Sequence, residues 1–409
     1  MVKEVLKKYG YTDEQILKIV SYYSLERYTD EVLAHNICEI NSFFEDFGYT
    51  KEQVIKMIMK YPSIYSHKTD LLLEKINNLA LLGYSFEQVF KMVFNAPIVL
   101  GYATDTLKKK ISDLESLGYK KTSIIKMTSI FPSLFNFSLE YLESHIDGLK
   151  KLGYSQEQII KITNAQPNIF GYSIDSIKKK LDDLELLGYS RDIALKMTVY
   201  LPSMLGYSTD NIKNKIKKIE TLGYKKEDII KMTSSHPSIY SYSIDTIKMK
   251  MCELESLGYT RDDVISMTVL SPTIYSYDID NIRNKLNEIV SLGYFFPDVL
   301  QMTVMFPSIY GYNIDLLKEK ILFLQSIGLK DMVIVNPKNL MQSVDLTYAR
   351  YRFLTEVKGI DITSSNFYCL FRNASTFKKQ YGIDKKELLE KYNYDVEVRN
   401  KEIRLKKVK

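Results

Sequence analysis

Glycine and proline keep a common period in this chain. Gly-Tyr recurs at Gly48, Gly83, Gly118, Gly153, Gly188, Gly223, Gly258 and Gly293, each 35 residues after the last. Gly328 extends the series with Leu329 in place of tyrosine, and Gly10-Tyr11 opens it 38 residues before Gly48. Proline follows at Pro62, Pro97, Pro132, Pro167, Pro202, Pro237, Pro272 and Pro307, so eight of the ten prolines occupy one position of the unit. A chain of 409 residues would otherwise suggest two or three globular domains. A period of 35 instead requires small units that bury their apolar faces against one another.

Counting from the glycine, each unit opens as a helix N-terminus. Thr50, Ser85, Ser155, Ser190 and Thr260 stand where an N-cap belongs, and Gln53, Gln88 and Gln158 three residues on complete capping boxes. Apolar residues at positions 7, 8, 10, 11 and 14 give the stripe of a short helix A. The proline at position 15 ends it, having no N–H to donate. Ser138, Ser173, Ser208, Ser243, Asp278 and Asn313 then supply a second cap at position 21, and position 23 is acidic in all eight units, which suits a helix start. Helix B is expected to bury positions 22, 25, 29 and 32 and to end at the next glycine, in the left-handed region. Between the helices, Pro-Ser-Ile-Tyr-Ser-Tyr is short enough for one tight turn.

The expected fold is all-α, a helical-repeat solenoid of about nine 35-residue units with atypical ends. Residues 1–47 read as a divergent N-terminal capping repeat and 48–327 as eight regular repeats. Residues 328–391 read as a shortened C-terminal repeat and helical cap: Pro337 falls nine residues after Gly328 rather than fourteen, yet Ser343-Val344-Asp345 restores the helix B start and Leu354 falls on a core position. Residues 392–409 form a basic tail, expected to be flexible.

Composition closes off several functions. No stretch approaches the ~18 uncharged apolar residues of a membrane span. Cys38, Cys252 and Cys369 are far apart, so neither a disulfide framework nor a zinc site is expected. The four histidines are scattered, and no phosphate-loop, metalloprotease or nucleophile-elbow motif is present. The chain reads as a non-enzyme with no cofactor, no metal and no membrane partner, and as a monomer. Net charge is only +6, from 56 basic and 50 acidic side chains, so charge alone does not name a nucleic-acid partner.

The proline lies between A and B, and the crossing positions hold Ile, Met and Leu, which argues against tetratricopeptide and pentatricopeptide units. The segments LGYSQEQIIKITNAQPNIFGYSIDSIKKKLDDLELLGYS and LGYKKEDIIKMTSSHPSIYSYSIDTIKMKMCELESLGYT instead resemble the mTERF motif of mitochondrial transcription termination factors. SVDLTYARYRFL (Ser343–Leu354) is similar to that family's arginine-bearing C-terminal unit. The resemblance covers roughly Gly10 to Leu354. It implies a right-handed superhelix whose basic concave groove holds double-stranded DNA, or in some members structured RNA, and a role in organellar transcription, its termination, or ribosome assembly. A mitochondrial or plastid matrix would follow for a mature organellar form; the first 30 residues carry no targeting segment and read as cytoplasmic.

Three cationic rows are candidates for phosphate contact. Position 9 holds Lys18, Lys56, Lys91, Lys126, Lys161, Lys196 and Lys231, on the solvent side of helix A, and gives way to Ser266 and Gln301. Acids four residues earlier offer ion pairs to most of this row, which leaves Lys126, facing Thr122, as its best candidate. Position 26 holds Lys108, Lys178, Lys213, Lys248, Arg283 and Lys318. Position 28 holds Lys180, Lys215, Lys250 and Lys285 among others, with His145 in one unit. Both flank the apolar stripe of helix B, where lysine either snorkels over the core or grips phosphate. Arg350, Arg352 and Arg372 near the C-terminal cap are the expected bidentate donors. The tyrosine columns at positions 2 and 20 and the methionine column at position 10 read as core, and the neighbouring threonines as bonding back to their helix. Positions 12 to 14 vary most, as either a readout surface or relaxed packing would. The alternative to a nucleic-acid binder is a protein-binding helical scaffold.

Overall fold

A computed structural model of the chain describes residues 1–21 and 28–392, and among these every regular element is helical. Residues 393–409, nearly all of the basic tail, lie outside the described residues. The chain divides into two compact units, Met1–Tyr207 and Ser208–Lys409.

The repeat at Gly153 shows how one unit is built. Helix A runs Gln156–Ala165 behind a Ser155/Gln158 capping box. Gln166 leaves helical backbone, and Pro167–Gly171 forms one 3-10 helix rather than a simple turn. Ser173 caps helix B, Ile174–Leu187, by accepting from the Ser176 N–H. The expected caps at Thr50, Ser85, Ser190 and Thr260 form, and Asp263 completes a box with Thr260 in the place glutamine takes in other repeats.

In the first unit, helices Val2–Tyr9, Asp13–Val20 and Asp30–Asp46 precede helices A at Lys51–Lys60, Phe86–Asn95, Lys121–Ile130, Gln156–Ala165 and Arg191–Tyr200. Helices B at Thr69–Leu81, Thr104–Ser116, Leu139–Lys151 and Ile174–Leu187 alternate with them. Successive helices A pack on one another, successive helices B do the same, and the core lies between the two layers. The second unit repeats this arrangement, with helices B at Thr209–Glu220, Ile244–Ser256, Ile279–Val290 and Ile314–Ser326, and helices A at Lys226–Ser235, Arg261–Leu270, Phe296–Met305 and Met332–Val335. Helix Val344–Arg352 passes into a π turn at Phe353–Val357, and the short helices Ala374–Tyr381 and Lys385–Lys391 close the end. Leu354 is fully buried, as expected.

Position 7 (Val54, Val89, Ile124, Ile159, Ala194, Ile229, Val264, Val299) and the methionines of position 10 are sealed from solvent, as are positions 25, 29 and 32 of helix B. Position 22 is a correction: Ile174, Ile244, Ile279 and Ile314 are only half-buried, because the first turn of helix B projects past the core. The glycine at position 1 does two jobs. Gly153 has φ 109°, and a Cβ there would lie 3.0 Å from Leu195 Cδ1, the position-8 side chain of the next repeat. Gly148, within helix B, lets Ile174 pack so close that a Cβ would meet it at 2.6 Å.

Candidate nucleic-acid interface

Two sets of polar bonds hold neighbouring repeats in register, and both use residues that the sequence offered for other work. The position-2 tyrosines are buried, and their hydroxyls meet the position-11 threonine of the next repeat: Tyr84 with Thr128 at 2.6 Å, Tyr119 with Thr163 at 2.8 Å, Tyr154 with Thr198 at 2.7 Å. In the second unit, Tyr224 meets Thr268 at 2.6 Å, and Tyr259 meets Thr303. Each threonine donates its own proton back to its helix, as Thr128 does to the Ile124 carbonyl (2.7 Å) and Thr163 to that of Ile159 (2.7 Å). The tyrosine therefore donates and the threonine accepts. Burial pushes the phenols of Tyr84, Tyr119, Tyr154 and Tyr259 up to about 12.

The second set removes the position-28 row from the list of free cations. The Lys75 ammonium donates to the Tyr102 carbonyl (2.6 Å), Lys110 to Phe137 (2.6 Å) and Lys250 to Tyr277 (2.8 Å), each 27 residues on. Lys180, Lys215 and Lys285 make the same bond to Tyr207, Tyr242 and Tyr312. His145, which stands in this column, is buried and hydrogen-bonded to the backbone at Ile169. Burial lowers the pKa of Lys180, Lys215 and Lys285 from the ordinary lysine value. The expectation that Lys180, Lys215, Lys250 and Lys285 present their charge to phosphate is corrected: they are struts between repeats. The position-20 tyrosines that supply these carbonyls are half-exposed rather than core.

The remaining rows stay at the surface. In position 26, Lys178, Lys213 and Lys248 are exposed and without an ion-pair partner among the described residues. Lys108 and Arg283 are also exposed but lean on Asp105 and Asp280, three residues earlier, and Lys318 is half-buried. Position 9 differs from the sequence reading. Lys18, Lys56, Lys91, Lys126, Lys161, Lys196 and Lys231 are all exposed, yet of the ion pairs expected along the helix only Lys91 with Glu87 (2.6 Å) forms. Sequence reasoning kept Lys126 and set aside Lys56, Lys161, Lys196 and Lys231 because acids stand one turn earlier. Those acids are exposed too, and surface pairs of this kind are worth too little to fix the side chains.

The three arginines divide. Arg350 is 1% exposed, and its guanidinium donates to Gln342 Oε1 (3.0 Å) and to the carbonyls of Leu370 (2.8 Å) and Arg372 (2.7 Å), over the Phe377 ring. It ties the C-terminal cap to the last repeat and is not a surface donor. Arg352 makes a two-point pair with Glu356 at 2.6 and 2.7 Å. Arg372 lies half-buried, over the Tyr368 ring at 5.2 Å.

Among the described residues no group of three or more His, Cys, Asp and Glu is placed to hold a metal ion, and no helix is long and apolar enough to cross a membrane. The arrangement offers repeated point charges on stacked helices.

Comparison with curated proteins returns no match. The family model described as mTERF matches residues 2–113, 109–220 and 209–378, and so takes in the repeats of both compact units together with most of the C-terminal cap. With that span, and with the same glycine, proline and capping positions building each repeat, the chain belongs to the mTERF family.

Proposed function

We propose that this chain is a non-enzymatic nucleic-acid-binding protein that holds double-stranded DNA through lysine–phosphate contacts and serves in the regulation of transcription. Membership of the mTERF family supports a nucleic-acid-binding helical-repeat protein. The observation that carries the reading is the row of exposed ammonium groups, without an ion-pair partner among the described residues, at one position of successive helices A: Lys126, Lys161 and Lys196 in the first unit, with Lys18 and Lys56 before them. Packed helices lie ~9 Å apart, so such a row repeats its charge at a spacing that backbone phosphates can meet. Lysine suits this work, being a point charge on a flexible stem rather than a planar fork for base edges. The position-26 residues Lys213 and Lys248, both in the second unit, are the second candidate surface.

The test is binding of a labelled random-sequence duplex of ~25 base pairs at 50 and 200 mM salt, beside a single strand and a structured RNA. Five to six neutralised phosphates predict sub-micromolar duplex binding that weakens ~10³-fold across that range. Absence of binding to any of the three at 50 mM salt would overturn the proposal; preference for the structured RNA would replace DNA as the partner.

A further inference from the structure

The cationic row of helix A does not run to the end of the second unit, and what replaces it is not neutral filler. Position 9 reads Lys231, Ser266 and Gln301 in the repeats at Gly223, Gly258 and Gly293. Aligned by Pro337, the shortened repeat carries Asp331 there. One helical turn on, at position 13, the same repeats read Ser235, Leu270, Met305 and Val335. Leu270 is 50%, Met305 39% and Val335 59% exposed. Positions 9 and 13 share a helix face, so over three consecutive repeats that face has lost its lysine and carries an exposed apolar residue. Helix Arg261–Leu270 packs on Phe296–Met305, which packs on Met332–Val335, so the three side chains form one stripe rather than isolated surface residues.

Earlier repeats show no such run. Exposed Ile130 and Tyr200 are separated by Ala165 in the repeat between them. A contiguous exposed apolar stripe costs solvation free energy unless something covers it. Charge narrows what that is. Asp262 and Asp331 are exposed and Asp298 is partly so, one on each of the three repeats, on the N-terminal side of the stripe. Two cations beside the stripe are engaged elsewhere, Arg261 with Glu255 at 2.6 Å and Lys330 with the Gly293 carbonyl at 2.6 Å, while Lys231 stays exposed on the preceding helix A. Lys338, exposed on the following 3-10 turn, closes the other end. Along the stripe itself a polyanion meets three carboxylates.

We propose that the helix A face of the last three repeats, Leu270, Met305 and Val335 bordered by Asp262, Asp298 and Asp331, is a docking site for a protein partner that presents a basic amphipathic helix. An amphipathic helix laid across the stripe would bury its apolar side on Leu270, Met305 and Val335 and place lysine or arginine over the carboxylates. The inference does not rest on the nucleic-acid reading, and it would place a protein contact on residues that no phosphate contact uses.

The experiment uses the full chain and three labelled 18-residue peptides: an amphipathic leucine–lysine helix, its leucine–glutamate counterpart, and a polar peptide with serine at the leucine positions. Fluorescence anisotropy is measured for the wild-type chain and for a variant carrying Leu270→Glu, Met305→Glu and Val335→Glu. All three sites are exposed, and circular dichroism checks that the variant is folded. The expected result is binding of the leucine–lysine peptide alone, weakened at least 10-fold in the variant, with duplex binding unchanged. Equal binding of the acidic peptide, no binding of the basic one, or binding indifferent to the variant would overturn the proposal. So would a wild-type dimer that the variant makes monomeric, since a second copy would then cover the stripe. Loss of duplex affinity in the variant would overturn it as well, by assigning the stripe to nucleic acid.

Discussion

Lys161 and Lys180 lie in one repeat, carry the same charge, and are assigned opposite work. Replacing each in turn by methionine, which keeps the length and apolar stem of the side chain, separates the two roles. Lys180 is 7% exposed, and its ammonium donates to the Tyr207 carbonyl. A hydrogen bond made by a charged group contributes about 1.5–3 kcal/mol. Burying an ammonium opposes this gain, as the lowered pKa of Lys180 indicates. The net loss on Lys180→Met is therefore about 1–2 kcal/mol. For a unit of about 200 residues each kcal/mol moves the thermal midpoint by roughly 2–4 °C, so the transition of the first unit should fall by about 2–8 °C. At a temperature where the variant is folded, its duplex affinity should match the wild type. Lys161 is exposed and makes no ion pair with Glu157. Lys161→Met should leave the melting curve in place and flatten the salt dependence of duplex binding by about 0.9 in the logarithmic slope. Differential scanning calorimetry and fluorescence anisotropy on the two variants decide the matter. A Lys180→Met protein that melts with the wild type, or that loses duplex affinity as Lys161→Met does, would refute the division between strut and phosphate contact.

Three further outcomes follow from the packing. Tyr84, Tyr119, Tyr154 and Tyr259 titrate near 12 in the fold and near 10 when unfolded, so between these values the unfolded state has lost protons that the folded state keeps. Stability then falls as pH rises, by about 1.4 kcal/mol per pH unit for each tyrosine, and about 5 kcal/mol per unit for the four together. Buried Lys180, Lys215 and Lys285 act in the opposite sense below about 10.5, where the unfolded lysine still holds its proton, and cease to matter above it. Between pH 10.5 and 12 the helical circular dichroism should thus be lost as tyrosinate absorbance appears; phenols that ionise near 10 with the helices intact would contradict the buried column. Gly153→Ala should cost about 2–4 kcal/mol in denaturant titration, from left-handed backbone and contact with Leu195 combined, whereas Gly328→Ala, with nothing within 4 Å of a Cβ, should cost only the backbone part of about 1 kcal/mol. Arg350→Met leaves the Arg372 carbonyl without its buried donor and the Leu370 carbonyl with Gln342 Nε2 alone, and should weaken the C-terminal cap by roughly 2–3 kcal/mol, read as faster amide hydrogen exchange in residues 367–391 with the repeats before Gly328 unaffected.

Local chemistry made the repeat legible. Proline just past a helix's last turn ends it, serine and threonine before a helix cap it, and a threonine on a buried helix face bonds back to the previous turn. Thr50, Ser155, Pro167 and Thr163 needed no knowledge of their neighbours. The candidate site was legible only in part, because its residues are decided by partners in the next repeat. Nothing within a unit marks position 28 as a strut: the carbonyl it serves lies 27 residues away, brought close by stacking alone. Tyr154 was rightly assigned to the core, but its hydroxyl partner Thr198 lies 44 residues on. Arg350 stands beside Arg352 in sequence, and only the folded cap shows that one is enclosed and the other solvated. The error on helix A ran the other way. Glu and Lys one turn apart suggested pairs, and among exposed side chains such pairs are too weak to form reliably.

The most direct measurement is the salt dependence of duplex binding for the wild-type chain and for a variant with Lys126, Lys161 and Lys196 all changed to glutamine. Three phosphate contacts removed should lower the slope of log K against log salt by about 2.7, with the thermal midpoint unmoved. An unchanged slope would contradict phosphate contact along helix A; a drop seen instead with Lys213 and Lys248 changed would move the contact to helix B.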